Sequence, residues 1–296
     1  MTISMFPAYL MRRKDDGTIR GIDESMRLLA EAGFKVFDYT PNIWADGWKA
    51  EADLAMNTAA KYGAVIEQSH APYNFYSKAP REEFMRALDR SAQAAAYMGI
   101  RNLVFHADEY HPTPEEPFDA DKAREQIYEI LSPCIEATLA GGVNVAIETV
   151  FEDVTGRPKE GQRMHFCADM DELISIIDKF NDERVGCCWD FGHAKIACGG
   201  GDEKHADAIR RMGKRIICTH VHDNISYYKR DVHVPPFMGD SNWHVLMSAL
   251  RDTGYTGSLT FEMVYGTLPD AAVRPYLDML YNMGLALERM FNDLTI

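Results

Sequence analysis

Residues 64–106, AVIEQSHAPYNFYSKAPREEFMRALDRSAQAAAYMGIRNLVFH, contain one complete unit of the pattern that decides the fold. An apolar run, Ala64–His70, follows Gly63 and reads as a strand. A helical pattern covers Arg81–Met98, Gly99 closes it, and a second strand candidate follows at Asn102–His106. Both strand candidates end in a histidine, His70 and His106.

The alternation continues in both directions. Further strand candidates are Ile3–Tyr9, Phe34–Tyr39, Asn144–Val150, Val185–Phe191, Ile216–His222 and Ser258–Val264. Helical patterns occupy Ile22–Ala32, Trp48–Tyr62, Ala120–Ala140, Met170–Phe180, Lys204–Met212, Asn242–Thr253 and Asp270–Met290. The first of these carries Asp23 and Glu24 near its start and runs into Gly33, the polarity a helix favours. Strands that alternate with helices in this way are parallel and joined by helical crossovers. Eight such units in 296 residues fit an α/β fold with a single (β/α)8 TIM barrel, residues 1–296 forming one domain. A doubly wound open sheet is the second reading, weakened because no glycine-rich phosphate loop follows the first strand.

Composition narrows the function classes. Hydrophobic residues make up 46% of the chain, ordinary for a globular protein, and no apolar run is long enough to span a bilayer. The start, MTISMFPAYLMRRK, lacks the charged-then-apolar order of a secretory signal, so a cytoplasmic location is expected. The net charge is −14 with the basic residues scattered, which disfavours nucleic acid as a partner. The six cysteines form no CxxC pair, so they are expected to be buried thiols in a reducing compartment.

Ionisable residues collect at the strand ends, where barrels of this kind carry their active sites. After His70 and His106 come Glu148 (VAIETV), Asp190 (CCWDFGHA) with His193 three residues on, His220 and His222 (ICTHVHDN), and Glu262 (LTFEMV). A charge inside an apolar strand is costly unless it is paired or ligating. Singly, each has an ordinary explanation: Asp190 suits a helix cap, His70 and His106 suit hydrogen-bonded core positions. Six successive strand ends with the same feature point instead to a divalent cation, which would also relieve repulsion among Glu148, Asp190 and Glu262. His220 and His222 share one strand face, so either suits as the imidazole ligand. Trp189 and Phe191 are expected to pack between barrel and helices. Trp44, Trp48, Tyr73, Phe75 and Tyr76 are assigned to loops at the catalytic rim, and His111, His165, His205 and His244 to the surface. Asp108, Glu109, Glu152 and Asp153 read as solvated loop charges.

Taken together these residues resemble the xylose-isomerase-like barrel superfamily, which includes sugar and sugar-phosphate isomerases, ketose 3-epimerases, inosose-processing enzymes and endonuclease IV. The resemblance rests on His-Ala-Pro-Tyr at 70–73, Val-Phe-His at 104–106, Ala-Ile-Glu at 146–148, Trp-Asp-Phe-Gly-His at 189–193, His-Val-His-Asp-Asn at 220–224, Asp-Val-His-Val-Pro-Pro at 231–236 and Phe-Glu at 261–262. It implies a metal site of Glu148, Asp190, His220 and Glu262, the first histidine being the ligand in a His-x-x-Asp pattern that ends at Asp223. The position of His193 is similar to one that touches substrate hydroxyls in the epimerases. His70, His106, Asp231 and His233 match the additional metal ligands of endonuclease IV, so all nine ligand types of that three-metal nuclease have a counterpart here.

The sequence also departs from both relatives. After Glu148 it continues Thr149-Val150-Phe151-Glu152, not the Asn-Thr and glycine-rich loop of the nuclease. Where the ketose 3-epimerases carry a substrate-binding arginine it has Ser226 or Tyr228, and where they carry a second glutamate it has Val154. The function expected is metal-dependent isomerisation or epimerisation of a sugar or related polyol-ketone. Glu148 and Glu262 would transfer the proton, and His70, His106, His193, His222, Asp231 and His233 would bind substrate or a second metal. The alternative is an endonuclease IV-like polynuclear zinc phosphodiesterase. A barrel that only binds a metabolite would leave this ligand set without a purpose. Manganese is the favoured ion, with zinc, cobalt or magnesium as substitutes, and the resemblance implies a homodimer or homotetramer that makes no membrane contact.

Overall fold

The computed structural model describes residues 1–73, 79–107, 110, 116–152, 163–199, 201–226, 230–263 and 268–293. Eight parallel strands close into a barrel in chain order: β1 (Ile3–Met5), β2 (Val36–Asp38), β3 (Val65–His70), β4 (Asn102–Phe105), β5 (Asn144–Glu148), β6 (Val185–Asp190), β7 (Ile216–Val221) and β8 (Leu259–Phe261). Pairing of β1 with β8, Ser4 against Thr260, completes the closure. Around it run α1 (Ile22–Ala32), α2 (Trp48–Lys61), α3 (Arg81–Met98), α4 (Ala120–Ala140), α5 (Met170–Lys179), α6 (Phe191–Cys198), α7 (Asp202–Met212), α8 (Trp243–Asp252) and α9 (Asp270–Phe291).

The differences from the sequence reading have local causes. β1 ends at Met5 because Pro7, which has no backbone N–H, opens a 3-10 turn over Pro7–Leu10. The short helix α6 has no counterpart in the sequence reading. It starts directly from β6, and the Asp190 carboxylate caps it by accepting the His193 backbone N–H at 2.7 Å. Helix α7 begins at Asp202, two residues before the expected Lys204. The proposed end of the last strand, Val264, lies outside the described residues.

Side-chain alternation divides each strand between two environments. Leu103, Phe105, Val145, Ile147, Cys187, Trp189, Val221 and Phe261 face outward into the main core under the helices. Val104, Ala146, Cys188 and Cys218 face inward and form a separate apolar layer across the barrel. Two residues further along the same strand faces stand His106, Glu148, Asp190 and His220. The inner layer is therefore the dry floor on which the ionisable residues sit.

Trp189 and Phe191 are buried between barrel and helices, as the sequence reading expects. His205 is a correction: it is buried, not on the surface, and its Nε2 accepts the Trp189 indole N–H at 3.2 Å. Burial lowers the His205 pKa to about 3, with Lys195 acting in the same direction, so the ring is neutral. Trp48 is a second correction, since it begins α2 and packs edge-on against Tyr97 in the helical layer. His244 is exposed, and His111, Phe75 and Tyr76 lie outside the described residues.

Truncating Trp189 to Ala removes a fully buried indole and leaves His205 without its donor. Denaturant unfolding of W189A should show a loss of about 3–5 kcal/mol; a change below about 1 kcal/mol would mean that this outer core does not hold β6 against α7.

Candidate metal centre

At the C-terminal mouth of the barrel the strand ends surround a cavity of about 770 Å3 lined by Asp38, His70, His106, Glu148, His193, Asp231, His233 and Glu262, with Phe6, Tyr73 and Phe151 among its aromatic walls. Glu148 is at its centre. Its Oε1 lies 3.2 Å from His220 Nδ1 and 3.2 Å from His193 Nδ1, and its Oε2 lies 3.1 Å from His106 Nε2 and 3.6 Å from His70 Nε2. Four imidazoles thus face one carboxylate that is only 1% exposed.

The histidines and acids fall into groups whose donor atoms lie within 4.8 Å of one another. One contains Glu148, Asp190, His220 and Glu262; another His70, His106 and Glu148; a third His193, His222, Asp231 and His233. The two seventh-strand histidines therefore separate. His220 points its Nδ1 at Glu148 and at Glu262 Oε2, 3.3 Å away. His222, just past β7, sets its Nε2 3.0 Å from Asp190 Oδ1 and stacks on His233 with ring centroids 3.8 Å apart. Gly192 makes this possible, because a side chain there would overlap the His222 ring. His233 has a left-handed backbone (φ 46°), strained for a non-glycine residue, which brings its Nε2 to 2.5 Å from Asp231 Oδ2.

The cluster fits a divalent cation on three observations. Glu148 Oε2 and His220 Nδ1 are buried and have no hydrogen-bond partner among the described residues. Three carboxylates and an imidazole form a normal donor set for manganese, cobalt, magnesium or zinc. The imidazoles of the third group are also held at their far edges. His193 Nδ1 donates to the Thr149 carbonyl and His233 Nδ1 to the Glu262 carbonyl, each at 2.9 Å, as metal-ligating histidines commonly do.

The electrostatics agree. Burial opposes charge on Glu148, but His220 and His106 outweigh it and hold the carboxyl well below its usual range. Asp190 and Glu262 are held down in the same way, against burial, by His193 and His222 and by His220 and His233 respectively. Reciprocally, His220 is raised against burial by Glu148 and Glu262, and His233 rises to about 9 beside Asp231. Without a cation, protons on the imidazoles balance the carboxylates.

Several participants lie outside the sequence-predicted set. Asp38 ends β2 with its Oδ2 3.5 Å from His70 Nδ1. Its signal was the one that exposed Glu262, an acid closing an apolar strand. Tyr9 donates to Glu262 Oε1 at 2.8 Å, and Gln68 lies 2.9 Å from His220 Nε2. Arg230 reaches the cavity wall, whereas Ser226 turns to Asp240 and Tyr228 is outside the described residues. His165 and Glu152 are corrections too: His165 is buried on the cavity wall, and Glu152 accepts the Met164 and His165 backbone N–H groups. Trp44 belongs to a different hollow, beside Arg86 and Arg90. Asp108, Glu109, Asp153 and Val154 lie outside the described residues.

The chain matches the family described as Xylose isomerase-like TIM barrel over residues 26–283, and it belongs to that family. It is 24% identical over 272 residues to an uncharacterized protein, y4fM, of Sinorhizobium fredii, covering 82% of this chain and 81% of that one. A probable endonuclease 4 of Mesomycoplasma hyopneumoniae is 25% identical over 232 residues, covering 74% and 73% of the two chains. Among solved structures, D-psicose 3-epimerase in the presence of D-fructose superposes with a TM-score of 0.72 at 17% identity, covering 98% of this chain and 99% of that one. That likeness establishes the shared barrel fold.

Because the cation must displace protons from His220, its affinity should rise with pH through the neutral range, and the binding enthalpy at pH 7 should vary with the ionisation enthalpy of the buffer. Calorimetric titration with Mn2+ or Co2+ in two buffers checks this; a buffer-independent enthalpy would contradict the proton balance described.

Proposed function

We propose that this protein is a divalent-metal-dependent isomerase or epimerase acting on a sugar or related polyol-ketone, with Glu148 and Glu262 transferring the proton. The observation that carries the reading is the group Glu148, Asp190, His220 and Glu262, whose two glutamates line a cavity of about 770 Å3. That volume suits a small polar metabolite. The wall offers carboxylates and imidazoles to hydroxyl groups, and Phe6, Tyr73 and Phe151 to the apolar faces of a sugar. Arg230 is the sole Lys or Arg among the described residues lining it, which favours a substrate without phosphate. The likeness to a ketose 3-epimerase supports the same class.

In the reaction proposed, one carboxylate removes the proton from the carbon beside the substrate carbonyl. The C–H electron pair becomes the carbon–carbon double bond of an enediolate, and the carbonyl oxygen takes the negative charge. A proton returned to the same carbon from the opposite side inverts it; one returned to the former carbonyl carbon moves the carbonyl. Glu148 on β5 and Glu262 after β8 reach the cavity from different sides, one to remove the proton as base and the other to return a proton drawn from solvent. Tyr9, held protonated by burial and by Glu262, donates to Glu262 and fixes that carboxyl group. His193 orients a substrate hydroxyl. When bound, a divalent cation supplies Lewis-acid stabilisation of the negative charge that develops on the substrate.

A second reading has an observation of its own. His70, His106 and Glu148, and His193, His222, Asp231 and His233, are two more groups able to hold metal, and Glu148 joins the first to the central group. Two or three zinc ions there would suit phosphodiester hydrolysis, and a probable endonuclease 4 is among the relatives. The net charge of −14 weighs against a polyanionic duplex.

Turnover of a panel of ketoses and aldoses in heavy water should place solvent deuterium at the reacting carbon; product free of deuterium would rule out the proton-transfer step in favour of a hydride shift. E148Q and E262Q should each lower kcat about 10²–10⁴-fold, and D190N should lose metal by elemental analysis. No sugar turnover, with chelator-sensitive cleavage of an abasic-site duplex that E262Q abolishes, would transfer the assignment to the second reading.

A further inference from the structure

Asp38 is a buried acid, 1% exposed, and both of its carboxylate oxygens lack a hydrogen-bond partner among the described residues. Leaving an ionised group in that condition is costly unless the surroundings compensate it. The groups that face it are imidazole nitrogens. His70 Nδ1 lies 3.5 Å and His220 Nε2 3.9 Å from Asp38 Oδ2. The two rings are stacked, with centroids 4.8 Å apart and planes 24° from parallel, and Phe6 packs against both. Each ring therefore turns one nitrogen to Asp38 and the other to Glu148, His70 through Nε2 and His220 through Nδ1.

We propose that Asp38 is a positioning residue for the metal centre: its carboxylate accepts a hydrogen bond from the far-nitrogen N–H of His70, so that this ring presents its lone pair to the Glu148 side. The inference rests on the metal reading above and assigns Asp38 no contact with substrate. A neutral imidazole carries one N–H and one lone pair, so fixing the proton on one edge fixes the lone pair on the other. A shift of about half an ångström brings the His70 contact into normal hydrogen-bond range. His220 Nε2 is instead 2.9 Å from the Gln68 side-chain amide, so Asp38, 3.9 Å away, acts on that ring through its charge alone. The negative charge of Asp38 also makes each ring a stronger donor to a cation, the role carboxylates play behind ligating histidines.

Two measurements test this. In the first, Co2+ is titrated into wild type and D38N, following the visible d–d absorption, and metal-free melting is recorded for both. Expected is a dissociation constant about 10–100-fold weaker in D38N, with a cooperative metal-free melting transition showing that the variant is folded. An affinity within threefold of wild type overturns the proposal. In the second, which needs no variant, imidazole 15N correlations of the Zn2+-loaded wild type report which nitrogen is protonated. The proton is expected on Nδ1 of His70; the opposite tautomer, as if Asp38 itself ligated a metal with this ring, overturns it. A wild type that takes up no divalent ion overturns the metal reading and this inference with it. Normal uptake with unchanged D38N affinity overturns this inference alone.

Discussion

One buried carboxylate organises the mouth of this barrel. Glu148 is surrounded by His70, His106, His193 and His220, two imidazoles to each oxygen. It stands one pleat above a buried floor of Val104, Ala146, Cys188 and Cys218. A charge so placed persists only if positive charge is supplied from the side, and the barrel supplies it from four different strand ends. Geometry enforces this: closing eight parallel strands brings their C-terminal ends into a ring, and period-two alternation turns one residue of each end inward. Where that residue is ionisable on several strands at once, the ring must be neutralised collectively.

Much of this was legible in the sequence because it depends on short-range pattern. The eight strand–helix units, and the bounds of α1, α3 and α4, follow from apolar periodicity and from glycines such as Gly33 and Gly99 that end helices in the left-handed conformation. An ionisable residue at an apolar strand end is equally local, which is why Glu148, Asp190, His220 and Glu262 could be named. The residues passed over carry weaker forms of the same signals. Asp38 stands one residue inside the expected strand Phe34–Tyr39, so it does not read as a strand end until the structure closes β2 at Asp38. His205 shares a helical stripe with Ile209 and Met212, a spacing that marks the buried face of α7 once that helix is known.

What was not legible required three dimensions. Strand periodicity in ICTHVHDN does not separate His220 from His222, because both lie on one face; only the resemblance to a His-x-x-Asp pattern favours His220. The separation comes from β7 ending at Val221, so that His220 remains level with Glu148 while His222 passes under α6 beside Asp190. Nor does Asp190 reveal from sequence that it can cap a helix and face the cation group together. Its Oδ1 accepts the His193 N–H, and its Oδ2 lies 3.8 Å from His220 Nδ1. The observed cap and the proposed ligand role are compatible in the same side chain.

That double use bears on how the candidate metal groups interact. Asp190 belongs to the Glu148 group and also faces His222 of the group around Asp231. Glu262 belongs to the Glu148 group, and its backbone carbonyl accepts the His233 ring N–H. His193 touches Glu148 with one nitrogen and Asp231 with the other. Charge placed in either group therefore changes the donors of the other through three residues, Asp190 and His193 by their side chains and Glu262 by its backbone carbonyl. A cation at Glu148 draws electron density from Asp190 and Glu262 and weakens their hold on His222 and His233, so two cations in these groups would not bind independently. The number of metals such a barrel would hold is thus governed less by the count of available ligands than by how much positive charge one shared set of carboxylates can sustain.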